Sequence, residues 1–546
     1  MKKFQKFSAY LIQIIFICMM SIVLILNFFF NDIEYACKRA YPNKEIFGWI
    51  LLLFFLICFL YFAGKYIYRK FWGTDKAKRL PNLDRVAVIV TILLFFVQMY
   101  IAYNIYFLTG WDVAGEIIPG AKLLADGDIS GFSTQFWEYF SRYPNNIPMI
   151  VFYGVLLNLN SKIGIWGTQN ELMSIITVNC ALNAITCFLT YKITKTLLGK
   201  KASIAGFMIV VILIGISPWS VITYSDSLAL AFPSMILALY IKKIERPLYK
   251  WMKYMAILGL GYLGYCVKPQ TLIIVIAIVV VEVIRRLSLV NKRMLGRWML
   301  IILASFICLG AFKTAADYVF TIHGFERDEN RTLDMTHFFM MGQNPDTKGV
   351  WSAEDINFSL AHPNTWERHK ATIKKGLTRI WDMGFPGYLE FLGEKTLTAY
   401  NDGTFAWGCE GEFWKEIYEP KNEVASPLLR EIFYQGGKYY NFWAFGVQGL
   451  WLAVLLLVVC NFICRKDVLN KLNDPILLVM MLSLEGLTLF QLLFEVRARY
   501  LYTYVPFFII LAVMGMKHVV HIVEKIVTNR RPHVKKLKNI STEEIL

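Results

Sequence analysis

IPMIVFYGVLLN, residues 147–158, decides how the rest of the chain is threaded. It is apolar for about a dozen residues before Asn160 and Lys162, whereas a helix needs roughly 20 apolar residues to cross the hydrocarbon core of a bilayer. If it crossed, the basic segment Lys192 to Lys201 would fall on the opposite side from the other Lys/Arg clusters and break the charge bias that sets orientation. It is therefore expected to be an interfacial or re-entrant helix that stays on one side of the membrane.

Working outward, apolar runs suited to spanning helices fall near residues 8–30, 47–64, 86–108, 171–191, 203–222, 225–242, 252–267, 269–286, 298–320, 441–464, 474–494 and 500–520. The expected fold is thus an all-α polytopic membrane protein of about 12 transmembrane helices, with a mostly helical extracytoplasmic loop. Composition agrees: 56% of the 546 residues are hydrophobic and 16% aromatic, too apolar for soluble domains. The formal charge of +17 resides in clusters between apolar runs, so it reads as topology and not as a nucleic-acid surface. Membrane lipids are the acidic partner it implies, with no nucleic acid. These clusters are Lys2/Lys3/Lys6, Lys65 to Arg85, Lys192 to Lys201, Lys242 to Lys253, Arg285 to Arg297, Arg465 to Lys471 and Lys517 to Lys538. The 321–440 loop carries 13 Lys plus Arg against 18 Asp plus Glu and belongs on the other side.

Five segments follow, in a cell-membrane protein with both termini cytoplasmic. Residues 1–85 hold two N-terminal helices and a basic cytoplasmic loop, the first helix being a signal anchor. Residues 86–320 form a transmembrane core whose first outer loop is 109–148; 321–440 form an extracytoplasmic lid; 441–520 hold the C-terminal helices; 521–546 are a basic tail. Within the lid, Asn364 or Thr365 can cap a helix that ends at Gly384, and Pro386 can start a second helix through Tyr400, before the turn Asn401-Asp402-Gly403. Most of the ten cysteines lie in apolar runs; Cys37 and Cys409 would face outward and could pair. No repeat, Gly-rich phosphate loop, Cys/His metal spacing or nucleophile elbow occurs.

The candidate chemistry begins in GWDVAGEIIPGAKLLADGDISGFSTQFWEYFSRYPNNIP, residues 110–148. Asp112 follows an apolar run by four residues, where lipid head groups begin, and a carboxylate there can act as base on a lipid-anchored substrate. Glu116 shares that site if the stretch is helical, whereas Asp126, Asp128 and Glu138 read as solvated surface. Asp226, Lys268, Glu495, Arg497 and Arg499 fall at turns on the same face by the topology above. Glu485 lies mid-helix and is expected to pair internally. His337, in MTHFFMMGQN, either meets a substrate or packs as a structural histidine. Carboxylates opposite Lys and Arg suit transfer of a group from a lipid phosphate: the cations hold the phosphate, and a carboxylate deprotonates the attacking hydroxyl.

Trp111-Asp112 followed by Arg142-Tyr143-Pro144-Asn145-Asn146-Ile147-Pro148 resembles the GT-C glycosyltransferases, particularly the family 39 group that includes protein mannosyltransferases and the aminoarabinose transferase of lipid A. TYSDSLALAF, CVKPQT and EVRARYL, with HFFMMG and YNDGTFAWG, look more like the uncharacterised family 39-like integral membrane proteins of Gram-positive bacteria. The resemblance covers roughly residues 86–520 and implies a GT-C-like core. It implies inverting transfer of a sugar from a polyprenyl-phosphate donor to a glycan or glycolipid acceptor outside the cell. Asp112 would be the base, Asp226 a second acidic catalytic residue, and Lys268, Arg497 and Arg499 the phosphate-binding groups. Glu116, Arg142, Tyr143, His337 and Glu495 complete the set expected to meet substrate. No resident cofactor is implied, and a divalent cation on Asp112 and Glu116 is left open.

There are departures from the family pattern. Two extra helices precede the usual first one, Asn145-Asn146-Ile147-Pro148 replaces the Pro-Pro of many relatives, and the His-containing loop motif of the protein mannosyltransferases is absent. That absence directs the expected acceptor toward a cell-wall polymer or lipid-linked glycan. The competing readings are a glycan polymerase or ligase using diphosphate-linked donors, with essential Arg residues in the lid, and a lipid-linked sugar flippase, with polar contacts at the bilayer midplane.

Overall fold

Long apolar runs bounded by breakers become helices. The run that ends at Gly199, whose φ of 91° closes it, is a helix over Leu172–Leu198. In the computed structural model the described residues are 2–30, 43–52, 82–127, 134–286, parts of 303–322, 327–407, 414–463 and 474–529. Cys37, Asp128, Cys409 and most of the expected spans 47–64 and 298–320 lie outside them. Among the described residues six helices are long and apolar enough to cross a membrane: Phe4–Phe29, Leu83–Ile105, Leu172–Leu198, Tyr440–Asn461, Pro475–Leu493 and Ala498–Ile522. A shorter apolar helix covers Ser225–Ile241.

Several expected spans are interrupted instead of continuous. The 203–222 run is an α-helix over Lys200–Val210, a π-helix over Val211–Gly215 and a 3-10 turn over Pro218–Val221. Backbone freed in such a break needs partners where water is scarce. Asn179 and Asn183, buried on the 172–198 helix, supply them: Asn179 Nδ2 donates to the carbonyls of Ser220 (3.1 Å) and Ile222 (3.0 Å), and Asn183 Nδ2 to that of Ile214 (2.9 Å). Further 3-10 turns cover Pro144–Asn146, Pro269–Leu272 and Ala498–Tyr504. Each joins a helix to the next beside the candidate site. Glu485, expected to pair internally, hydrogen-bonds the backbone of Phe16 on the first helix, while its Oε1 has no hydrogen-bond partner among the described residues.

The decisive 147–158 segment is a helix over Ile147–Ile163, longer than its apolar core and ended by Gly164 at φ 74°. It packs against the helix Ile118–Asp126 and leaves Phe152, Val155, Leu159 and Ile163 exposed, an apolar face suited to lipid.

The lid is helical as expected: Met335–Gly342, Ala353–Leu360, Thr365–Tyr400 and Ala425–Phe433. Asn364 caps the third, its side chain accepting from the amides of Trp366 and Glu367, and Gly384 (φ 61°) kinks that helix just before Pro386. Two features were not anticipated. A two-stranded antiparallel ribbon pairs Phe107–Thr109 with Trp414–Ile417, an exception to the all-α expectation. Residues 400–407, expected in the lid, are buried within the helical body. Their non-helical backbone is satisfied there: Asp402 accepts from the amides of Thr404 and Ala406, Gly403 donates to Gln448, and Trp219 Nε1 donates to the Thr404 carbonyl.

Candidate functional site

The ribbon strand Phe107–Thr109 delivers the chain into Gly110, Trp111 and Asp112. Trp111 has φ 56°, a left-handed conformation that costs a bulky side chain on the order of 1–3 kcal/mol and persists only where surroundings over-determine it. The ribbon holds it from one side, and the Arg499 guanidinium, 4.7 Å from its ring centroid, from the other. Asp112 then starts a π-helix over Val113–Ile117. Its Oδ2 accepts hydrogen bonds from the hydroxyls of Tyr139 (2.7 Å) and Tyr224 (3.2 Å), and Asn146 Nδ2 donates to Tyr139 at 2.6 Å. Burial first, and then the Asp112 charge, holds the Tyr139 phenol well above its usual range, so it remains a donor.

On the far side of Tyr224 lies a charge cluster built from three turns. Asp226, 1% exposed, is ion-paired with Lys268, 3% exposed, and Arg499 Nε lies 3.7 Å from Asp226 Oδ2. One carboxylate thus lies between two cations. The ring of Tyr500 lies 4.6 Å from Lys268 Nζ, and that of Tyr224 5.9 Å from the Arg499 guanidinium carbon. Tyr224 thus touches both halves, donating to Asp112 through its hydroxyl and facing Arg499 with its ring. Asp226, expected as a second acidic catalytic residue, is buried in an ion pair, and this suits it to positioning the cations.

Glu495 joins from the chain entering the 498–504 turn: its oxygens accept from Arg497 Nε (3.3 Å) and from the Tyr500 hydroxyl (2.9 Å). Arg142 and Tyr143 stand on the Asp112 side. Arg142 is paired with Glu138 at 2.9 Å, and the Tyr143 ring lies 5.1 Å from that of Tyr139. Arg331 of the lid also pairs with Glu138 at 3.1 Å, so Glu138, expected as solvated surface, ties the lid to this loop. Asp112, Glu116, Arg142, Tyr143, Asp226, Lys268, Glu495, Arg497 and Arg499 therefore form one neighbourhood, in two halves bridged by tyrosines.

A family model described as conserved hypothetical integral membrane protein matches residues 4–520. The chain belongs to this family. The match spans every residue placed above, together with the lid. No curated protein and no solved structure matches the chain.

In this integral membrane protein His337 lies inside the lid, within range of the Glu495 charge. It is buried at 1% exposure inside the lid, its Nδ1 2.8 Å from Ser359 Oγ, and burial lowers it to about 4 despite nearby Asp355, Glu495 and Asp334. It is neutral at physiological pH and fits the structural one of its two expected roles. Lys395 was missed by the sequence reading. Fully buried, it donates to the carbonyls of Gly342 (2.5 Å), Leu492 (3.0 Å) and Phe494 (2.7 Å), clamping the lid onto the segment that carries Glu495 and Arg497. Burial lowers its ammonium to about 7, with Glu495 opposing. Gly342 is required at that seam, since a Cβ there would lie 2.3 Å from the Phe494 carbonyl carbon. The available signal was spacing, because Lys395 shares the face of Phe391 and Thr398, both buried.

Glu116 is helical and half-buried, which meets the condition for sharing the site. Burial, and then the Asp112 charge, raises its carboxyl to about 7 against the opposing pull of Arg142. The folded protein therefore holds a proton on Glu116 that the unfolded chain, with the ordinary value of 4.5, releases. The resulting stabilisation is present below about 4.5 and is lost as pH rises to about 7. Thermal unfolding midpoints of wild type should therefore fall relative to those of Glu116→Gln as pH goes from 5 to 8. Parallel curves for the two proteins would refute the assignment. Among the described residues no three His, Cys, Asp or Glu side chains gather as a metal-ligand set.

Proposed function

We propose that the protein is a membrane glycosyltransferase of GT-C type, family 39-like, that moves a sugar from a polyprenyl-phosphate donor to a glycan or glycolipid acceptor outside the cell. The observation that carries this reading is the placement of Asp112, held by two tyrosine hydroxyls, across Tyr224 from the Asp226–Lys268–Arg499 cluster. A carboxylate base and a cationic patch on either side of one aromatic ring are what transfer from a lipid phosphate needs.

In this mechanism the acceptor hydroxyl oxygen attacks the anomeric carbon from the face opposite the phosphate. The new C–O bond forms as the bond between that carbon and the phosphate oxygen breaks, inverting configuration. Asp112 takes the hydroxyl proton, and the bonding pair leaves on polyprenyl phosphate, stabilised by Lys268 and Arg499. Asp226 keeps the two cations side by side. Glu495 orients Arg497 and Tyr500 at the rim. Arg142 and Tyr143 face the donor sugar from the loop side.

The same reading takes the chain to have about twelve spans, both termini cytoplasmic, and the 321–440 lid outside. The test is purified protein in liposomes with radiolabelled polyprenyl-phosphate sugar and wall glycan as acceptor. Label is expected in the glycan, and a deletion strain should lack one wall sugar. Movement of the lipid-linked sugar across the bilayer without covalent transfer would replace the reading with a flippase, and transfer from diphosphate-linked donors alone with a polymerase or ligase.

A further inference from the structure

The first half of the lid helix Thr365–Tyr400 presents two faces. Arg368, Thr372 and Gly376 are buried, with Arg379 reaching Asp355 beneath them. On the opposite side Trp366 is 65% exposed, Ile373 41%, Leu377 55% and Trp381 85%. At about 100° per residue these four, with Lys370 and Lys374, fall within one arc of roughly 100°. Lys370 stands 4.9 Å from the Trp366 ring centroid. The acidic Asp382 falls outside the arc.

An apolar arc with two lysines inside it and a tryptophan towards each end has the composition of the lipid head-group layer, where aromatic rings and snorkelling ammonium groups meet phosphate. Its position along the chain leads to the same surface. After the Gly384 kink, Phe385 (77%) and Leu389 (52%) continue the exposure, and the helix then packs against Lys2–Phe29 and Pro475–Leu493, two of the membrane-crossing helices. The exposed arc therefore sits where the chain passes from the lid to the helices that enter the bilayer.

We infer that the 365–383 helix docks on the bilayer leaflet on the candidate-site side, with Lys370 and Lys374 binding anionic phospholipid head groups. This inference does not depend on the transferase reading. Seated in the head groups, the helix would hold the lid at the membrane, since it packs on Met335–Gly342, whose end abuts Phe494 beside Glu495.

The test uses the full chain in nanodiscs of phosphatidylethanolamine and phosphatidylglycerol, with Trp381 replaced by the photo-cross-linker p-benzoylphenylalanine. A control carries it at Glu354, whose side chain is 81% exposed on the neighbouring lid helix. Irradiation is expected to add the mass of one phospholipid at position 381 and none at 354. In the Lys370→Glu, Lys374→Glu double variant, the phosphatidylglycerol share of adducts should fall at least about fivefold. Absence of lipid adducts at 381, equal adducts at 354, or cross-linking to a second copy of the chain would overturn the docking. An unchanged lipid ratio in the double variant would overturn the part given to the two lysines.

Discussion

Asp112→Asn is expected to slow the proposed sugar transfer sharply while the protein remains folded. The amide oxygen can still accept from Tyr139 and Tyr224, so the hydrogen bonds that hold the residue at 2.7 and 3.2 Å have a substitute acceptor. What is lost is the ability to take the proton of the acceptor hydroxyl, and general-base catalysis is worth about 10²–10⁴-fold in rate. Turnover by the reconstituted protein should fall by that range, with the unfolding midpoint within about a degree or two of wild type. Retained turnover would remove Asp112 as base and leave Glu116, the neighbouring carboxylate, as the group to examine.

The largest stability effect is expected at the Asp226–Lys268 pair, because both partners are buried and ion-paired with each other. Removing one member of a buried pair strands the other charge and costs about 3–5 kcal/mol. Asp226→Asn should be worse than Lys268→Met. The first leaves Lys268 and Arg499 as two cations without their shared carboxylate, whereas the second leaves Asp226 with Arg499 at 3.7 Å. The double variant Asp226→Asn, Lys268→Met should cost less than the two single changes summed, since it strands neither member of the pair and takes the carboxylate only from Arg499. Denaturant unfolding in detergent micelles measures all three. Single variants within about 1 kcal/mol of wild type would show that the pair carries no such burden.

Local signals in the chain explain why some of this was legible before any coordinates. The Asn364 cap, the Gly384 break and the Pro386 restart depend on φ preference and on hydrogen bonds within a single turn, and the structure has all three. The 147–158 segment is expected to stay on one side because length and apolarity are properties of one stretch, and its helix Ile147–Ile163 is not among the six that are long and apolar enough to cross. Lys395 and the 400–407 segment were misjudged for the opposite reason: what buries Lys395 is carbonyls near residues 342 and 493, and what buries 400–407 is the Gln448 and Trp219 side chains. No window of sequence around residue 400 contains those partners.

The helix Ile147–Ile163 shows the same division. By itself the sequence determined a helical integral membrane protein, the position of its apolar runs, and which acidic and basic residues stand at the ends of those runs. These follow from the free energy of moving side chains between water and lipid, which each stretch expresses alone. Only the tertiary structure decided that Asp226 is locked to Lys268, that Tyr224 links that pair's neighbour Arg499 to Asp112, and that Trp111 is held in a strained turn by a strand more than 300 residues away. Those contacts join turns separated by whole membrane helices, and their geometry is set by how the helices pack.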